Sequence, residues 1–171
     1  MLHNTFCRRL AALVLTLAVA VSAVLPVFAV YPMPVQTATE TEAVYLFNAD
    51  TGKTILSQNA DQQKYVASLT KLMTMILMLE SYQDQLDTIS ITAPGYIYDY
   101  LYGKNASTAD IWKDETHTLR SLLYAMLLPS ANEAAYIVAD YMSGSSIDNF
   151  VAMMNDEAAR IGCTGTTFTD P

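Results

Sequence analysis

Residues 68 to 80 constrain this chain more than any other stretch. Leu69, Leu72, Met73, Met75, Ile76, Met78 and Leu79 recur at helical spacing and cover more than one face of a helix over Ser68 to Glu80. A helix apolar on several faces cannot lie on a surface, so the pattern predicts burial nearly all round within a globular domain. Only the first turn is polar, with Ser68, Thr70 and Lys71. A lysine there sits at the unfavourable end of the helix dipole. One account is a side chain that snorkels to water. The other is a functional group held at the mouth of a buried rod, where Ser68 and Lys71 would share a face with Cβ atoms roughly 5–6 Å apart.

Other elements fall on either side of that rod. Ala43 to Phe47 is β-rich, Asn48 to Lys53 is turn chemistry, and Thr54 to Ser57 is a second short strand, which together predict a hairpin. Thr51-Gly52-Lys53 lacks the glycine-rich frame of a phosphate loop and reads as part of the turn. Thr88 to Thr92 alternates like an edge strand. Tyr96, Tyr98, Tyr100 and Tyr102, bracketed by Gly95 and Gly103, fit a strand or hairpin rim, either as a packed surface loop or as an aromatic wall beside a cleft. Asn105-Ala106-Ser107 matches a glycosylation acceptor and carries no weight without a known host. Thr118 can cap a helix from Leu119 to Leu128, apolar on most faces and ended by Pro129. Asn132 opens another through Tyr141. Ser146 caps a third, Ile147 to Ile161, closed by Gly162, with Phe150, Met153, Met154 and Ala158 as core. Strands followed by helices, with no returning strands, make an α+β fold that stops short.

The amino terminus predicts export. Arg8 and Arg9 precede an apolar run from Leu10 to Leu25, Pro26 breaks it, and Val27-Phe28-Ala29 supplies small residues for a cleavage site. The run is short for an uncleaved membrane anchor, which needs about 20 residues. Residues 30–42 then form an extended leader, and residues 43–171 the domain. Removal of residues 1–29 takes Arg8 and Arg9 from the nine basic residues and leaves seven against 17 acidic ones, a net charge of −10. That excess argues against nucleic acid and anionic lipid as partners. Cys163 and His117 remain the sole cysteine and histidine. An internal disulfide, a Cys/His metal site and a Ser–His pair all need more than these.

Chemistry then rests on Ser68-Leu69-Thr70-Lys71 and, 62 residues after Ser68, Ser130-Ala131-Asn132. Neither is specific alone: Ser-x-x-Lys arises by chance roughly once per 200 residues at average composition. Ser57-Gln58-Asn59 is a second Ser-x-Asn, read as a strand end entering a turn. Together the two clusters close a mechanism. A serine hydroxyl needs a base, and histidine is unavailable, so the candidates are Lys71 or a carboxylate such as Glu133. Lys71 could serve if burial among Leu69, Leu72 and Met73, with the positive helix end, lowered its pKa from about 10.4. A backbone N–H at the helix start near Ser68 could help bind an oxyanion. Ser130, at a Pro-terminated corner between helices, could pass a proton to a leaving amine, and Asn132 could hold a substrate amide.

Asn48-Ala49-Asp50-Thr51-Gly52-Lys53 through Asn59-Ala60-Asp61, then Ala67-Ser68-Leu69-Thr70-Lys71-Leu72-Met73-Thr74, resembles the serine-type D-alanyl-D-alanine carboxypeptidases, the low-molecular-mass penicillin-binding proteins. Leu122-Leu123-Tyr124 with Leu127 to Ala135, Phe150 to Asn155, and Thr167 to Pro171 extend the likeness over residues 43–171. It implies a β-lactamase/penicillin-binding-protein-like transpeptidase fold, a helical cluster against an antiparallel sheet, truncated before its C-terminal strands. By position, Ser68 would be the acylated nucleophile, Lys71 its base, Ser130 the proton relay and Asn132 a substrate-binding group. The implied partner is a peptidoglycan stem peptide ending in D-Ala-D-Ala, with β-lactams as inhibitors and neither metal nor organic cofactor. The Tyr-rich stretch departs from the family's pattern.

Two rival readings share parts of this pattern. A class A β-lactamase has Ser-x-x-Lys, but its second motif is typically Ser-Asp-Asn and a downstream Glu activates water; here Ala131 is in the middle, and residues 161–171 hold no Glu. A non-catalytic penicillin- or muropeptide-binding module would usually have lost one of the four residues. The third family motif, Lys-Thr/Ser-Gly, is absent up to Pro171; some members of the family also carry a C-terminal membrane anchor beyond the point where this chain ends, and the resemblance leaves open membrane association through such a segment. A chain ending there is expected to be inactive and poorly folded by itself.

Overall fold

The computed structural model describes residues 43–171. The predicted signal and leader, residues 1–42, lie outside the described residues. The described residues divide into two units, residues 43–60 and 61–171.

In the first unit, strands β1 (Val44–Asn48) and β2 (Lys53–Gln58) form the expected antiparallel hairpin, with Val44 opposite Gln58 and a bulge between Leu46 and Phe47. Its turn follows from residue chemistry. Asn48 Oδ1 accepts the Thr51 amide at 2.9 Å, and the Gly52 amide reaches the Asn48 carbonyl at 3.0 Å. Gly52 turns the chain at φ +67°, a conformation open to glycine without steric cost.

The second unit is a helical cluster with one small sheet. A 3-10 turn over Ala67–Thr70 leads into α1 (Lys71–Tyr82), and a second covers Gln83–Gln85. Strand β3 (Ser90–Thr92) pairs antiparallel with β4 (Thr116–Thr118), Ile91 opposite His117. Between them lies the short helix α2 (Ile97–Leu101), and after them come α3 (Leu119–Leu127), α4 (Asn132–Ser143) and α5 (Ile147–Arg160). Helix α4 is the axle, packed by α1, α2, α3 and α5. Its Ala134, Ala135, Ile137, Val138 and Ala139 are fully buried, and the alanines let neighbouring helices approach closely. Met78, Leu119, Leu122, Met126, Phe150 and Met154 complete the core, each such side chain contributing about 1.5–3 kcal/mol on burial.

The helix starts follow the expected caps. Thr118 accepts from the Ser121 amide, and Ser146 from the Asn149 amide. Gly144, at φ +68°, ends α4 two residues beyond the expected Tyr141.

Three expectations are corrected. The helix over 68–80 does not begin as an α-helix, since Ser68 lies in the 3-10 turn and Lys71 is the first α-helical residue. Nor is it buried all round: Met73, Thr74, Leu77 and Met78 face the core, whereas Leu69, Leu72 and Ile76 are exposed. Helix α3 is similarly one-sided, with Tyr124 and Leu127 outward. The Tyr-rich stretch is helical rather than a strand rim. Tyr98 points inward, its hydroxyl donating to the Ile111 carbonyl at 2.7 Å, while Tyr100 stacks on Tyr136 of α4 with ring centroids 5.3 Å apart.

Candidate active site

Two unusual backbone positions bring the serines together. Ala67, immediately before Ser68, has φ +49°, and Ser130 itself has φ +61°. Non-glycine residues reach this left-handed region at a cost of order 1–3 kcal/mol, and such strain gathers at functional sites. At the second corner, Pro129 stops α3 from continuing, and the Ala131 amide closes the bend onto the Ala125 carbonyl at 2.9 Å. The bend aims Ser130 back across the cluster. Ser130 Oγ donates to Ser68 Oγ at 2.6 Å, joining residues 62 positions apart.

Lys71 faces α4. Its Nζ donates to Asn132 Oδ1 at 2.6 Å, and the residue is only 5% exposed. Burial pushes its ammonium below the ordinary lysine value, against an opposing pull from the Asp170 and Glu133 carboxylates. The shift has the expected direction, but its source differs. Leu69 and Leu72, 63% and 45% exposed, turn outward, and Lys71 is buried towards Asn132 instead. Among the described residues, the hydrogen bonds of this site link Ser68 to Ser130 and Lys71 to Asn132. The four predicted site residues thus form two bonded pairs, Ser68 with Ser130 and Lys71 with Asn132.

Glu133 is the alternative base that the sequence offers. It is 2% exposed, and its Oε1 accepts from Thr108 Oγ1 at 2.7 Å, from the Ala109 amide at 2.7 Å and from the Ile111 amide at 3.5 Å. A carboxylate oxygen so occupied has a structural partner already, and its bonds run to the 108–111 segment rather than to Ser68. The Asn132 amide donates to the Ser107 carbonyl at 2.9 Å, so this segment is fastened to the first two residues of α4. Sequence reasoning weighed Ser107 only as part of a glycosylation acceptor and passed over Thr108. Asp170 was also missed as a charge near Lys71; an acidic residue close in space but 99 positions away leaves no local signal.

Around the site, Tyr96 donates to Asp140 of α4, and its phenol is pushed up to about 12, chiefly by burial. Tyr98 is pushed up to about 12 by burial, with the Glu133 and Glu115 charges adding to it. Among the described residues, no group of three or more His, Cys, Asp or Glu side chains could hold a metal ion. No helix of the described residues is long and apolar enough to cross a membrane.

Comparison with known proteins places the chain in a family and a fold. A family described as D-alanyl-D-alanine carboxypeptidase, Peptidase S11, matches residues 31–171. The D-alanyl-D-alanine carboxypeptidase of Streptomyces sp. (strain K15) is 34% identical over 129 residues, covering 72% of this chain and 44% of that protein. The carboxypeptidase DacF of Bacillus subtilis is 29% identical over 134 residues, covering 77% and 33%. Among solved structures, the Streptomyces K15 DD-transpeptidase superposes with a TM-score of 0.64 at 31% identity, over 75% of this chain and 51% of that one. Penicillin binding protein 5 of Haemophilus influenzae gives 0.60 at 27% identity, over 70% and 35%. The chain thus spans about half or less of the length of the relatives it matches. Its α+β architecture is that of part of the penicillin-binding DD-peptidase domain, and the relatives favour neither the β-lactamase nor the non-catalytic alternative. By sequence and by fold, the chain belongs to the D-alanyl-D-alanine carboxypeptidase family.

Proposed function

We propose that this protein works outside the cytoplasm as a serine-type D-alanyl-D-alanine carboxypeptidase, removing the terminal D-Ala from peptidoglycan stem peptides. The observation that carries the reading is the Ser130–Ser68 contact at 2.6 Å beside a buried Lys71 bound to Asn132. Ser68 is the nucleophile. Lys71, in its neutral form, takes the Ser68 proton as Oγ attacks the carbonyl of the penultimate D-Ala. The resulting oxyanion collapses, the C–N bond breaks, and Ser130 hands a proton to the departing amine and recovers one from Lys71. Water then cleaves the ester on Ser68 and releases the shortened stem peptide. Asn132 leaves Lys71 to hold a substrate amide. General acid–base help of this kind typically contributes 10²–10⁴-fold. A β-lactam enters by the same route: Ser68 opens the ring, and the amine stays tethered to the acyl group.

The test uses the product of the whole reading frame, through its own stop codon. It should be labelled by a fluorescent penicillin and should release D-Ala from a diacyl-D-Ala-D-Ala peptide, and Ser68→Ala should abolish both. Undiminished labelling of Ser68→Ala would overturn the assignment of the nucleophile.

A further inference from the structure

We propose that Glu133 is a positioning residue: by gathering Thr108 and the Ala109 and Ile111 amides onto one carboxylate oxygen, it locks the 107–111 segment to the start of α4 and so fixes Asn132 opposite Lys71. The inference rests on the reading of Lys71 and Asn132 given above.

The geometry has two halves. Asn132 and Glu133 are the first residues of α4, and both reach the same segment, Asn132 through its amide to the Ser107 carbonyl at 2.9 Å and Glu133 through Oε1. Tyr98 holds the other end, donating to the Ile111 carbonyl at 2.7 Å. Packing anchors the segment at Ile111, which is buried in the core with Ala109 against it, but not at Ser107 and Thr108, which are exposed. A cavity of about 170 Å³ lies between Tyr98, Leu101, Ala106, Ser107, Thr108 and Glu133, so the Ser107–Thr108 end has room to move once its bonds are cut. Movement there would release the Ser107 carbonyl from the Asn132 amide and free the first turn of α4, which carries the side chain that holds Lys71.

The carboxylate also has an electrostatic role. The charges facing Lys71 are Glu133, from α4, and Asp170, from the C-terminal segment; Tyr98 faces Glu133 from α2. Both carboxylates favour the Lys71 ammonium. Removing the Glu133 charge therefore lowers the pH at which Lys71 becomes neutral, and the acid limb of the acylation profile, which needs neutral Lys71, moves to lower pH.

Three variants separate these effects. Glu133→Gln keeps an acceptor oxygen and loses the charge, Glu133→Ala loses both, and Thr108→Val removes one bond while leaving Glu133 intact. In the product of the whole reading frame, Glu133→Ala should raise amide exchange at Ala109 and Asn132 at least tenfold and cut the acylation rate constant 10- to 100-fold. Glu133→Gln should keep exchange and maximal rate within about threefold of wild type and shift the acid limb downwards. Thr108→Val should fall between them without moving the pH profile. The Lys71 titration, followed by NMR of ¹³C-lysine protein assigned with Lys71→Met, reads the charge effect without catalysis. It thereby separates a failure of this inference from a failure of the carboxypeptidase reading. Unchanged exchange at Ala109 and Asn132 in Glu133→Ala would overturn the proposal. So would equal losses in Glu133→Gln and Glu133→Ala that follow only a lowered melting temperature.

Discussion

Replacing Lys71 with methionine should separate activity from stability, because the side chain is buried, charged and bonded to one partner. Methionine matches its length and apolar body. In the folded state, burial drives the ammonium towards neutrality. The sign follows directly: the penalty for burying the charge is fully present below the folded-state pKa, and it fades as pH rises from there towards the unfolded value of 10.5. Lys71→Met removes that penalty, with most benefit at neutral and acid pH. Against this, Asn132 Oδ1 loses its donor; an orphaned buried acceptor costs about 1–3 kcal/mol, and half-buried Asn132 falls at the lower end of that range. Glu133 and Asp170 lose a neighbouring positive charge as well. These terms oppose one another and leave a net change within about 2 kcal/mol of zero, whereas removing one partner of a buried ion pair costs about 3–5 kcal/mol.

Acylation should behave differently. Loss of the general base is expected to slow penicillin acylation by about 10²–10⁴, which corresponds to about 2.7–5.4 kcal/mol of activation free energy. Lys71→Arg should also fail to acylate, because arginine stays charged. Chemical denaturation as a function of pH, with fluorescent-penicillin labelling in parallel, measures both properties. Labelling of Lys71→Met within a few-fold of wild type would show that another group takes the Ser68 proton. Destabilisation above about 3 kcal/mol would show that Lys71 is chiefly a structural anchor.

The left-handed corner offers a second dissection. Ser130→Ala and Ser130→Gly both remove the relay hydroxyl and should both lose acylation. Glycine relieves the φ of +61°, so Ser130→Gly should be more stable than Ser130→Ala by about 1 kcal/mol in thermal denaturation. At the far end of α4, Gly144→Ala should cost about 1 kcal/mol with no change in labelling: a Cβ there meets nothing within 4 Å, so the cost is the backbone at φ +68° alone. In the core, Phe150→Ala should cost about 3–5 kcal/mol, measured by chemical denaturation, since the ring is fully buried.

Much of this site was legible in the sequence because its signals are local. Ser68 and Lys71 are three residues apart at the mouth of an apolar helix, and Ser130 and Asn132 flank a corner that Pro129 announces. The caps at Thr118 and Ser146 were readable for the same reason, since each accepts from an amide three residues on. What escaped depends on contacts between distant segments. Strand β4 is only three residues, Thr116–Thr118, too short to show a period, and it exists because β3 lies beside it. The tyrosines alternate as a strand would, yet tertiary contacts set their conformation: Tyr98 to Ile111, Tyr96 to Asp140, and Tyr100 against Tyr136. Periodicity also overstated burial, because an apolar residue at helical spacing, such as Leu72 or Ile76, need not meet a partner.

The start of α4 shows why the two kinds of information join at this place. Its first residue holds Lys71, its second holds the 108–111 segment, and the residue two before it reaches Ser68. Serine at 130 supplies the hydroxyl but must occupy a backbone region that glycine would fill more cheaply. Buried alanines at 134, 135 and 139 then bring the surrounding helices close enough for Lys71 to meet Asn132. A helix serving only as core would need neither the strained serine before it nor a buried glutamate in its first turn. The strain at Ser130 and the burial of Glu133 both find a reason if, as proposed above, the terminus of α4 supports Ser68 and Lys71.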